Sequence, residues 1–169
     1  MTAGLLDVAE HLSDQSRKES GARRDAFARS AFNRYYYASF LSVRELLAEI
    51  DPSWSGAPHA NFPALLEGSL VQLVRKEAKK QSKAGAISPG NASTFVTQAT
   101  SATSEIASVL HVAYVARVAA DYSPEIAVVF DANGFRLGNE THAAARGWKG
   151  RVDSRKGILL HVCRQLAIV

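Results

Sequence analysis

The feature that most constrains this chain is a run of large apolar residues stepping by three and four: Phe32, Tyr36, Phe40, Val43, Leu47 and Ile50. That spacing puts them on one face of a long helix. Inside the run, Ser30 to Leu41 carries three consecutive tyrosines, Tyr35, Tyr36 and Tyr37, beside one arginine, Arg34. Tyr35 and Ala38 widen the apolar face, and Tyr37 with Leu41 lies on another side. The helix is therefore expected to be contacted nearly all round, with Arg34 embedded among aromatics. Such an arginine requires a carboxylate, a carbonyl or a phosphate opposite it.

The flanking sequence reads as more helix. Thr2 is a candidate cap for a first helix whose stripe is Leu5, Leu6, Val8, Ala9 and Leu12, ending near Ser13. A polar link from Asp14 to Glu19 leads into the long helix, about Ser20 to Ile50, which Asp51-Pro52 ends because the residue before proline leaves the helical region. Ser53 to Asn61 is a loop. A third helix, about Phe62 to Lys83, buries Leu65, Leu66, Leu70, Leu73 and Val74. It closes on Arg75, Lys76, Lys79, Lys80 and Lys83, which suits either the helix macrodipole or a phosphate partner. A fourth helix starts near Asn91 or Ser93 and continues to about Ala120; its Ser- and Thr-rich first half relies on packing.

Ser123-Pro124 breaks the helical pattern. Ile126 to Phe130, the turn Asp131-Ala132-Asn133-Gly134, and Phe135 to Leu137 then read as a short hairpin. A last helix follows Gly138-Asn139, with bends expected at Gly147 or Gly150. The expected fold is one all-α domain, residues 1–169, a bundle of about five helices with a short β-like hairpin before the last.

Composition removes several classes of function. Length is 169 residues and net charge is +4, enough for a full core and compatible with an anionic partner without demanding one. The single cysteine, Cys163, makes no internal disulfide and sits among Leu159, Leu160, Val162 and Leu166 as a small buried residue. Asp7 and Glu10 interrupt the N-terminal apolar segment, so it does not read as a signal peptide. No run approaches the ~18 apolar residues of a membrane helix. The expected location is the cytoplasm, with no membrane contact. The histidines and Cys163 lack zinc spacing, and Gly85, Gly90, Gly134 and Gly138 form no phosphate loop, so no metal or cofactor is implied. His11, His111 and His161 lie in apolar helical contexts and read as packing residues. Trp54 and Trp148 read as core or interface.

One string carries polar chemistry. Arg117 and Asp121, in Arg117-Val118-Ala119-Ala120-Asp121-Tyr122, are spaced to face the same side of the fourth helix. They form either a local surface ion pair or a polar site, and Asp121 and Tyr122 are the leading candidate partners for Arg34.

Asn33-Arg34-Tyr35-Tyr36-Tyr37-Ala38-Ser39-Phe40, followed by Val43, Arg44, Leu46 and Leu47, resembles the second-helix signature of the HEPN superfamily of small helical bundles. His59-Ala60-Asn61-Phe62 is similar to the histidine and hydrophobic residue that follow it there. Arg117 to Tyr122 is similar to the Arg-x-x-Ala-Asp-Tyr string of one HEPN branch. The resemblance implies a homodimer and an RNA-directed role. One form is a metal-independent ribonuclease or toxin component of a toxin–antitoxin or defence system, paired with a nucleotidyltransferase-type antitoxin. The other is a non-catalytic module binding RNA, a nucleotide or a partner protein. In the catalytic form, arginine stabilises charge on phosphorus-bound oxygens while histidine takes the 2′-hydroxyl proton. The residues it implies for chemistry are Arg117, Asp121, Tyr122 and His142; for RNA or nucleotide binding they are Arg34, Tyr37 and His59, the last a second candidate acid/base. The family pattern has a histidine a few positions after its arginine. Arg117 lacks one, whereas Arg136 with His142 and Arg155 with His161 have that spacing.

Overall fold

The apolar spacings become helices almost everywhere they occur. The computed structural model describes residues 2–169, with side chains from Gly4 onward, so a cap by Thr2 lies outside the described side chains. Five helices follow in order: α1 (Thr2–Lys18), α2 (Gly21–Ile50), α3 (residues 62–83), α4 (Pro89–Tyr122) and α5 (His142–Gln165). Within α3, Phe62–Ala64 passes into a π-helical stretch, Leu65–Leu70, and then into Val71–Lys83. Two single 3₁₀ turns, Pro52–Gly56 and His59–Asn61, occupy the expected loop. The fold class is all-α, a helical bundle with a small antiparallel sheet before the last helix.

Three boundaries differ from expectation, each for a local reason. α1 does not end near Ser13 but runs to Lys18. Ser13 and Ser16 are buried there, and their hydroxyls are satisfied: Ser16 donates to the Ser13 carbonyl at 2.7 Å and Ser13 bonds the His142 ring at 2.8 Å. α4 opens earlier, at Pro89, whose fixed φ suits the first helical position, and Ser88 Oγ accepts the Asn91 amide at 3.1 Å. α5 runs unbroken through Gly147 and Gly150. Both glycines are exposed, and the neighbouring Ala145, Trp148 and Val152 are buried. Packing therefore overrides their poor helix propensity.

The hairpin is β1 (Val128–Asp131) paired with β2 (Gly134–Leu137), and a third strand, β3 (Glu140–Thr141), adds to β2. Asp131 sits opposite Gly134. The Asp131 carboxylate accepts the Asn133 amide at 2.7 Å, and Gly134 has φ +139°, a conformation that side chains resist. Thr141 then caps α5, its hydroxyl accepting the Ala144 amide at 3.1 Å.

The chain forms two compact units. The first comprises Met1–Ser42 and Val109–Arg151. Its core is aromatic: Phe32 meets Phe135 edge-on at 5.7 Å and lies 6.3 Å from Trp148, so Trp148 is a core residue. The second comprises Val43–Ser108 and Val152–Val169. Its core is mostly aliphatic, with Leu46, Leu47, Leu66, Leu70, Ile106 and Leu159 buried along with Phe62. Cys163 is buried there, and burial, with Glu49's charge adding, pushes its thiol up to about 11.

Candidate functional site: an arginine and tyrosine cluster

Two helices of the first unit build the polar site. On α2, Arg29, Asn33 and Tyr37 repeat every four residues and so share one side. On α4, Arg117 and Asp121 do the same. Asp121 is the hinge between them: its Oδ2 lies 3.0 Å from Arg117 Nε, and Asn33 Nδ2 donates to both of its oxygens at 2.8 and 2.9 Å. Arg117 Nη2 donates to the Tyr122 hydroxyl at 3.3 Å, and its guanidinium carbon stands 5.0 Å from the centre of the Tyr122 ring.

Three further tyrosines cluster on the same two helices. Tyr36 lies 5.1 Å from Tyr37 and 6.0 Å from Tyr114 between ring centres. Tyr36 is buried, and burial raises its phenol well above the ordinary tyrosine range, with Tyr37 adding and Arg117 opposing. Burial alone would depress Arg117, but the Tyr122 hydroxyl and the Asp121 carboxylate more than offset it and hold the arginine firmly charged. Tyr122 is 68% exposed and Tyr114 43% exposed. A fixed cation therefore sits over one exposed aromatic ring, that of Tyr122. That combination can take a phosphate on the arginine and a base on a tyrosine ring.

Arg34 is not part of this cluster. It is exposed, and Asp121 takes Arg117 and Asn33 in its place. The expectation of a buried Arg34–Asp121 pair is corrected on helical geometry: Arg34 points away from the Phe32–Tyr36 face. It borders a separate groove of about 450 Å³ with Leu5, Val8, Tyr37 and Leu41. The arginine that is embedded is Arg29. Its Nε bonds Asp25 at 2.6 Å, and its Nη atoms donate to the carbonyls of Ala119 at 3.0 Å, Ser123 at 3.3 Å and Ile126 at 2.6 Å. Those carbonyls lie at and just beyond the end of α4. Ala119 and Ser123 also accept the amides of Ser123 and Ile126, and the guanidinium adds a second donor to each, so Arg29 ties down that helix end and the string bearing Asp121 and Tyr122.

The histidines exchange the roles expected of them. His142 is 6% exposed, bonded to Ser13 Oγ at 2.8 Å and 3.3 Å from the Tyr35 hydroxyl, with its ring 4.8 Å from Phe135. Burial pushes its pKa down; the charges acting on it, Arg17, Glu10, Arg146 and Asp14, lie outside the Arg117 cluster. It is a satisfied core histidine rather than an acid/base beside Arg117. His11, His111 and His161, expected to pack, are exposed. His59 lies exposed in the His59–Asn61 turn of the second unit.

Of the residues singled out from sequence, Arg117, Asp121 and Tyr122 come together, and Tyr37 acts electrostatically on Arg117. Asn33 and Arg29 were missed. The signal for both was present, since each lies four residues from the other and Asn33 four from Tyr37. Among the described residues no group of three or more histidine, cysteine or acidic side chains is gathered to hold a metal ion, and no helix is long and apolar enough to cross a membrane. No protein-family model, curated protein or solved structure matches the chain.

Proposed function

We propose that the protein is a HEPN-like module that binds RNA or a nucleotide without cleaving it. The observation that carries this reading is Arg117, held by Asp121 and flanked by the open ring of Tyr122. Single-stranded RNA is recognised by stacking unpaired bases on aromatic rings and meeting phosphates with fixed cations. Asn33 and Asp121 orient the arginine, Tyr122 and Tyr114 offer stacking faces, and Tyr37 adds a phenol beside it. Arg34 and His59 are outlying contacts in this reading.

Binding is favoured over cleavage because no histidine accompanies the arginine. His142, the candidate acid/base, is enclosed by Ser13, Tyr35 and Phe135. General acid–base catalysis needs a titrating group within hydrogen-bond reach of the 2′-hydroxyl. A homodimer, a nucleotidyltransferase-type partner and a cytoplasmic location belong to the same reading through the resemblance.

The test is incubation of the purified protein with single-stranded RNA in the presence of a chelator. The expected result is retarded RNA of unchanged length. Shortened RNA, produced by the wild type and not by Arg117→Ala, would overturn the reading and establish a metal-independent ribonuclease.

A further inference from the structure

The Arg117 cluster leaves unexplained the concentrated charge at the end of α3. Lys76, Lys79, Lys80 and Lys83 line one groove of about 450 Å³ together with Ala84. All four lysines are exposed, and one carboxylate in the row, Glu77, meets Lys80 at 3.1 Å. Steps of three and four set them along one side of the helix over about 10 Å. The helix dipole accounts for part of this, since Lys80 and Lys83 lie in the last turn. It does not account for Lys76 and Lys79, which stand before that turn and repel the others.

Arg75, next in the chain, lines a second groove of about 710 Å³ with Thr97, Ser101 and Ser104 of α4. Glu105 also lines that groove, with its charge engaged by Arg155 Nε at 2.6 Å. Cations followed by hydroxyls are the groups that contact phosphate and ribose oxygens. A lipid surface fits less well, because the lysine groove presents no large apolar side chain to enter a bilayer.

We propose that this lysine row is a sequence-independent contact for the phosphate backbone of a single-stranded nucleic acid. It rests on the RNA-binding reading for the identity of the ligand, and adds a second contact on α3. The row supplies the salt-dependent part of binding, by releasing counterions from the strand, and leaves base recognition to the tyrosines.

The experiment follows the affinity of the full chain for a mixed-sequence single-stranded RNA oligonucleotide by fluorescence anisotropy across a range of salt. For Lys76→Gln/Lys79→Gln/Lys83→Gln, three lost contacts should lower the slope of log affinity against log salt by about 2. Each single substitution should lower it by about 0.7, which keeps the test open if the triple variant folds poorly. Arg17→Gln/Lys18→Gln/Arg136→Gln removes equal charge elsewhere and should leave the slope in place. An equal fall in that control would overturn the proposal in favour of diffuse charge. Wild-type binding to phosphatidylserine vesicles but not to RNA would overturn it in favour of a membrane. An unchanged slope in the lysine variants, with RNA binding lost in Arg117→Ala, defeats this proposal alone. A flattened slope with Arg117→Ala unaffected supports it and defeats the polar-cluster reading.

Discussion

At the residue scale, one partly buried side chain, Arg29, joins Asp25 to the carbonyls of Ala119, Ser123 and Ile126 at the end of α4. The tyrosine stretch draws the eye to Arg34, yet Arg29 lies three residues before Phe32 and seven before Tyr36, on their face of the helix. Counting in steps of three and four, rather than reading neighbours in the string, would have chosen Arg29. Its substitution makes a sharp prediction. Arg29→Ala strands Asp25 and the Ile126 carbonyl, and takes a second donor from the carbonyls of Ala119 and Ser123. Urea unfolding should show a loss of about 3 kcal/mol. A loss below about 0.5 kcal/mol would show that water replaces the guanidinium without cost.

His142 is the second residue whose role context decides. As a sequence position it looked like an acid/base opening a helix; as a packed ring it favours the neutral form. Its folded pKa is lowered from the ordinary 6.5, first by burial and then by Arg17. The unfolded chain therefore binds the proton more readily, and the stability linked to this group is present above pH 6.5 and drains away as pH falls below it. Melting temperature should decline between about pH 6.5 and 5, before most carboxylates titrate. His142→Gln should flatten that decline. An equal decline in both proteins would assign it to other groups.

At the element scale, apolar periodicity read from sequence located all five helices and the hairpin, because packing and period express the same geometry. What it could not show were features set by distant partners. Ser13 read as a helix end and Ser16 as part of a polar link because serine is usually exposed, whereas here α5 supplies His142 to Ser13. The π-helical Leu65–Leu70 leaves no compositional trace. Gly147 and Gly150 were read as bends, although they and Gly157 each stand at an exposed site where an added Cβ meets nothing within 4 Å. Gly150→Ala and Gly157→Ala should thus each stabilise the protein by about 0.5–1 kcal/mol in thermal or urea unfolding. Destabilisation would mean that those positions face a partner.

The α2–α4 junction carries its own element-scale prediction. Arg117 and Asp121 are partly shielded from water, with side-chain exposures of 18% and 28%, so their coupling exceeds that of a fully exposed pair. A double-mutant cycle with Arg117→Ala and Asp121→Ala should give about 0.5–1 kcal/mol. Asn33→Ala should weaken that coupling, because Asn33 holds both oxygens of Asp121 in place. Coupling near zero would reduce the cluster to a chance surface contact.

At the scale of the whole molecule, an all-α chain with a small sheet before its last helix says little about chemistry, since one fold hosts many functions. Function is decided by the site. Three of the four residues singled out for chemistry meet at the end of α4, and the fourth, His142, is absorbed into the core. That separation turns an arginine-and-histidine expectation into a reading of binding by arginine and tyrosine. Its most direct test is the affinity of Arg117→Ala for single-stranded RNA, measured beside a melting curve. RNA affinity at least about tenfold weaker, with the fold intact, is the predicted result. An unchanged affinity in a folded variant would contradict the account.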